Sequence, residues 1–100
     1  DHQPRLTDEF MNKITNGQYQ TWSSEQMMKR YQVPFVIWAN YDIKEQHIEK
    51  TSMNYIQSIL TKTAGVKMTG YQRFLNEVRK EVPTITSQGY WGKNGKFLSD

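Results

Sequence analysis

Residues 33–43 read VPFVIWANYDI, and how this stretch is taken decides the fold. Pro34 stops a helix, because it has no N–H and its ring clashes with the preceding turn. Phe35 to Ala39 then make an unbroken apolar run rich in β-formers. A run without polar alternation is the habit of a strand covered on both faces, as inner strands of α/β proteins are. The reading is therefore an α/β fold with a buried strand at 34–39. Asn40, Tyr41 and Asp42 end it in a polar loop. At the carboxyl end of an open-sheet strand, Asn40 and Asp42 would approach a ligand crevice; a plain turn is the simpler account.

About three helices flank this strand. Upstream, Ser23 with Gln26 three residues on forms a capping box that starts a short helix through Met27, Met28 and Tyr31. Residues 1–22 read as a connector, with one short helix from Thr7 to Ile14 that Thr7 would cap, and a turn at Asn16-Gly17. Downstream, IKEQHIEK (43–50) is polar and exposed, and His47 within it reads as a solvated surface histidine. Thr51-Ser52 caps the next helix, in which Met53, Ile56, Ile59, Leu60 and Ala64 recur at helical spacing and Gly65 suits the left-handed position after the end. Thr69 with Gln72 repeats the capping box; Tyr71, Phe74, Leu75, Val78 and Val82 form the expected buried stripe, and Pro83 ends the helix. In the tail, Asn94-Gly95 lies between aromatic residues and signals a β-hairpin with a type I′ turn. The organisation read is one subdomain over 1–100: connector 1–22, helix-strand-helix-helix 23–83, hairpin 84–100.

The bulk numbers suit one small domain. The chain has 100 residues, 36% apolar and 13% aromatic, so the rings must supply much of the core. The net charge is +3 with lysines and arginines scattered among carboxylates, which permits an anionic partner without demanding one. There is no cysteine, which excludes disulfides and thiolate zinc sites. No apolar run approaches the roughly 18 residues needed to span a bilayer.

The chemistry in the sequence is sparse. There is no glycine-rich phosphate loop, no nucleophile elbow and no paired-histidine motif. Asp1-His2 is the one local grouping with metal chemistry: a carboxylate and a neutral imidazole side by side can both reach one divalent ion. Trp22, Tyr90 and Trp91 could stack on bases while Lys93 and Lys96 met phosphates. No RRM, KH or helix-turn-helix pattern accompanies them, so nucleic acid is not the expected partner.

In order along the chain, DHQP, PFVIWANYDI, the helix beginning TSMNYIQSIL, and TAGVKMTGYQRFLNEVRKEVP resemble the C-terminal part of bacterial sulfatase-like proteins of the lipoteichoic acid synthase family, within the alkaline phosphatase superfamily. The resemblance covers nearly the whole chain, and PFVIWANYDI and GYQRFL with the following EVP carry its specificity. It implies an alkaline-phosphatase-like α/β sandwich, of which this chain is the C-terminal fragment. It further implies an extracytoplasmic enzyme of Gram-positive type, membrane-anchored through segments absent here, in which a threonine attacks an anionic lipid such as phosphatidylglycerol with the help of Mn²⁺ or Mg²⁺. The family's adjacent Asp-His ligands match Asp1 and His2. Its Glu ligand, its threonine and its substrate-binding residues lie upstream, so no catalytic residue is assigned in these 100 residues and the fragment is expected to be inactive alone. The upstream part of the same domain is then its main partner, and an uncovered strand edge would favour dimerisation or domain swapping. The alternative is a non-catalytic module binding an anionic polymer or a partner protein through Lys93 and Lys96.

Overall fold

In the computed structural model of the chain, residues 2–98 are described. They form a small mixed α/β architecture of four α-helices and one three-stranded antiparallel sheet, divided into two compact units at Phe35/Val36.

The N-terminal unit holds helix α1 (Asp8–Ile14) and helix α2 (Ser24–Arg30). Thr7 caps α1 as its sequence predicts, its hydroxyl accepting from Phe10 N at 3.2 Å. Asp8 and Glu9 in the first turn and Lys13 in the last complement the helix dipole. The helix closes in a Schellman motif: Asn16 sits at φ 52°, and Gly17 N donates to Asn12 O at 2.7 Å. The expected turn at Asn16-Gly17 is this helix ending. A 3₁₀ turn, Gln18–Thr21, leads to Ser23, whose capping box with Gln26 is fully formed. Met11, Tyr19 and Met28 are buried and make the core of this unit.

The C-terminal unit begins with the stretch that decided the sequence reading, and here expectation and structure part. Residues 34–39 form no strand. Val36 is 87% and Trp38 81% exposed, with only Ile37 and Ala39 half-buried. The strand reading fails because apolar β-formers make a strand only where a neighbouring strand accepts their backbone groups. Among the described residues, positions 33–51 make no backbone-to-backbone hydrogen bond. Side chains hold the segment instead: Tyr41 Oη donates to Ala64 O at 3.2 Å and Gln46 Nε2 to Thr63 Oγ1 at 3.3 Å.

After a 3₁₀ turn (Met53–Tyr55), helix α3 (Ile56–Thr63) ends in a second Schellman motif around Gly65 at φ 72°. Thr69 and Gln72 form the predicted capping box of helix α4 (Gly70–Glu81), and Gln72 Nε2 also donates to Thr61 Oγ1 of α3 at 3.2 Å. The helices are where the sequence puts them, but their buried faces are rotated. On α4, Asn76 is buried with Leu75, Val78 and Arg79 half-buried, while Tyr71 and Phe74 are 69% and 60% exposed. Around α3, Tyr55, Ser58 and Ile59 go inside, while Met53 and Leu60 stay exposed.

The tail folds as β1 (Thr84–Thr86), β2 (Gly89–Trp91) and β3 (Phe97–Leu98), a meander one strand richer than the expected hairpin. The β2–β3 turn departs from type I′: of the central pair only Gly95 has positive φ, 71°. Gly95 N donates to Gly92 O and Gly92 N to Lys96 O, each at 3.0 Å, closing a three-residue loop with its glycine in the left-handed position. Asn94 Oδ1 accepts from Lys96 N at 3.0 Å, which stabilises that geometry locally. No helix among the described residues is long and apolar enough to cross a membrane.

Ser52 fastens sheet to helices. Its N–H donates to Pro83 O at 3.1 Å and its hydroxyl accepts from Ile85 N at 3.0 Å. Lys93 N donates to Glu81 O at 2.8 Å, so the β2–β3 turn is held against the end of α4.

Candidate functional site

The metal-ligand pair read from the sequence is only half visible. Asp1 lies outside the described residues. His2 is exposed, and its Nδ1 lies 2.9 Å from Gln3 O. A carboxylate and an imidazole suit Mn²⁺ as a donor set, but two ligands are short of a full shell. Among the described residues no group of three or more His, Cys, Asp or Glu side chains could hold a metal ion.

His2 does border a groove of about 430 Å³ within the N-terminal unit, together with Arg5, Asp8, Tyr19, Arg30 and Tyr31. Arg30 organises this wall. Its guanidinium lies 5.0 Å from the Tyr19 ring centroid and 5.2 Å from that of Tyr31, hydrogen-bonds the Tyr19 hydroxyl, and donates to Leu6 O at 3.0 Å. Burial pushes the Tyr19 phenol above its ordinary pKa, and the Arg30 charge pulls the other way. Trp22 packs edge-on against Tyr19 with centroids 5.2 Å apart, so it is a packing residue of this unit.

The C-terminal unit has a second groove, of about 400 Å³. The 46–50 segment, the end of α4 with Pro83, and the start of the β2–β3 turn form it; Lys50, Arg79, Trp91 and Lys93 are among its lining. Trp91 is 6% exposed and packs edge-on against Phe97, centroids 6.1 Å apart. It is thus a core ring, and its outer face is covered by Lys50, whose Nζ is 3.7 Å from the ring centroid. Buried and capped in this way, Trp91 is no platform for a nucleobase. Lys93 Nζ pairs with Glu81 at 2.7 Å, both side chains mostly exposed. Arg79 Nε and Trp91 Nε1 are buried and have no hydrogen-bond partner among the described residues. His47 is exposed, as read from the sequence, and lies at this groove with Glu49.

Of the residues singled out in the sequence, Trp91 and Lys93 meet in this groove. Lys96 is exposed on the return of the turn, Tyr90 is half-buried in β2, and Asn40 and Asp42 are exposed in the segment that forms no strand. Lys50 and Arg79 were missed. Lys50 ends a polar stretch that looks uniformly solvated, and Arg79 lies outside the apolar stripe expected of α4, whose actual inner face is rotated toward it. No local signal distinguishes either. The chain matches no family model, no curated protein and no solved structure.

Proposed function

We propose that the chain is the C-terminal, non-catalytic part of a metal-dependent sulfatase-like phosphotransferase or hydrolase, acting on phosphoglycerol or related phosphate or sulfate esters at the cell envelope. The reading starts from the resemblance carried by Asp1-His2-Gln3-Pro4, PFVIWANYDI and GYQRFL with the following EVP. The observation that supports it is uncovered apolar surface at those same motifs. Val36 and Trp38 in PFVIWANYDI, and Tyr71 and Phe74 in GYQRFL, stand in solvent. Large apolar side chains left in solvent at these motifs suit surface that another element covers. In the proposed whole, the upstream part of the same domain would cover this surface within an alkaline-phosphatase-like sandwich. Asp1 and His2 would be two of the ligands to Mn²⁺ or Mg²⁺. The ion would neutralise charge on the transferring phosphoryl oxygens, and this chain's helices would hold the ligand-bearing segment. The enzyme would be extracytoplasmic and anchored through segments outside these residues.

The test compares the 100-residue chain with a longer polypeptide that carries the upstream sequence, both with Mn²⁺ and a phosphodiester substrate. Turnover is expected from the longer form alone, and Asp1→Ala or His2→Ala in that form should reduce it to background. Turnover by the short chain, or unchanged rates in both variants, overturns the reading.

A further inference from the structure

We propose that the groove of the C-terminal unit bordered by Lys50, Arg79, Trp91 and Lys93 binds a phosphate-type oxyanion. This holds whether or not the chain belongs to a larger enzyme, because it rests on groups inside one unit.

The four residues offer hydrogen-bond donors and no acceptor: two ammonium groups, a guanidinium and an indole N–H. A ligand that satisfies all of them must be an acceptor throughout, and their charge selects an anion. Two of the donors, Arg79 Nε and Trp91 Nε1, are enclosed without a partner. Both atoms are closed to solvent as placed, so a ligand oxygen reaches them only after the side chains over them move, and it then gains more than it would at an exposed donor.

Three cations stand against two carboxylates here, Glu49 at the groove and Glu81 on Lys93, which leaves positive charge in excess. Neither internal contact competes strongly. The Lys93–Glu81 pair is 64% and 65% exposed, where solvent screening makes ion pairs weak. Lys50 is exposed, and its ammonium can swing from the Trp91 face to a ligand while the stem keeps its place. Its departure also uncovers the outer face of the Trp91 ring.

The donors come from three separate segments: the stretch before Thr51, the last turns of α4, and β2 with its turn. A carboxylate presents two oxygens in one plane, whereas a phosphate presents oxygens in tetrahedral array and can meet donors converging from several directions. The same oxygens occur in free phosphate, in a monoester and along a phosphodiester chain, and these sources are separated by experiment.

The ¹⁵N-labelled chain, at low ionic strength, is titrated with inorganic phosphate, with dimethyl phosphate, and with acetate at matched ionic strength. The readout is the Trp91 indole cross-peak, assigned by elimination with Trp22→Phe and Trp38→Phe. A saturable shift with phosphate is expected, weakened at least tenfold by Lys50→Gln or Arg79→Gln and several-fold by Lys93→Gln, but unaltered by Lys13→Gln in the other unit. Equal binding of dimethyl phosphate assigns a diester; binding of inorganic phosphate alone assigns a free or terminal phosphate. No saturable shift, equally tight acetate binding, or unchanged affinity in both lysine variants overturns the proposal. The lysine variants lie at exposed positions, so the test survives if Arg79→Gln fails to fold.

Discussion

The phenol of Tyr55 donates to the carbonyl oxygen of Val82 across 2.9 Å, joining the entry of α3 to the residue that ends α4. Tyr55 is wholly buried, and this part-buried bond fixes the spacing of the two helix ends. Tyr55→Phe keeps the ring and strands the Val82 carbonyl. It should cost about 1–3 kcal/mol, the usual penalty for a buried polar group deprived of its partner. Tyr55→Ala adds a cavity and should cost about 3–5 kcal/mol. Urea denaturation followed at the C-terminal unit measures both; a loss below about 0.5 kcal/mol for Tyr55→Phe contradicts the bond.

Gly89 has no room for a side chain. A Cβ there would stand 2.7 Å from the Phe97 ring and 3.1 Å from Leu98 O, and its φ of 138° disfavours any L residue. Gly89→Ala should therefore destabilise the sheet by about 1–3 kcal/mol, the range for a strained backbone position. Adding Phe97→Leu relieves the ring contact and leaves the backbone strain, so only part of the loss should return. Amide exchange across β2 and β3 reports it directly.

Tyr19 should ionise late. Burial favours its neutral form, and the Arg30 charge only partly opposes this. A folded-state pKa above the unfolded one means that the corresponding stability is present below the ordinary tyrosine pKa and is lost as pH rises through the raised value. Alkaline titration of the chain's six tyrosines by ultraviolet absorbance should show a late component that Tyr19→Phe removes. The N-terminal unit should lose part of its stability over the same alkaline window, and lose less of it in Tyr19→Phe.

Val36→Thr and Trp38→Thr should each change the stability of this chain by no more than about 0.5 kcal/mol, as substitutions at open surface do. A buried strand at the same place would lose several kcal/mol from the tryptophan alone. The two outcomes are far enough apart for a single denaturation curve to separate them.

Much local chemistry was legible where it acts within a few residues, although Ser52 makes no side-chain cap and Asn94-Gly95 departs from type I′. Thr7, Ser23 and Thr69 cap as their neighbours predict, because a hydroxyl three residues from a suitable N–H needs nothing from the rest of the chain. Gly65 takes the left-handed turn for the same reason. What depends on distant residues was not legible. Phe35–Ala39 has the composition of an inner strand, yet a strand exists only through its neighbours. The faces of α3 and α4 were assigned from apolar spacing alone; packing instead took in Ser58 and Asn76 and left Tyr71 and Phe74 outside. The Lys50–Arg79–Lys93 groove unites three segments, and nothing within any one of them announces the other two.

The backbone of residues 33–51, held by side chains alone, has a practical consequence. A protease must draw about a dozen residues in extended form into its cleft, and chain without backbone hydrogen bonds offers itself with little prior unfolding. A brief digestion should thus nick the chain within 36–50, leaving the Ser52 clamp, both helices and the sheet in one piece. That piece would be the shortest form in which the C-terminal half can be studied, with Lys50 the residue closest to the cut.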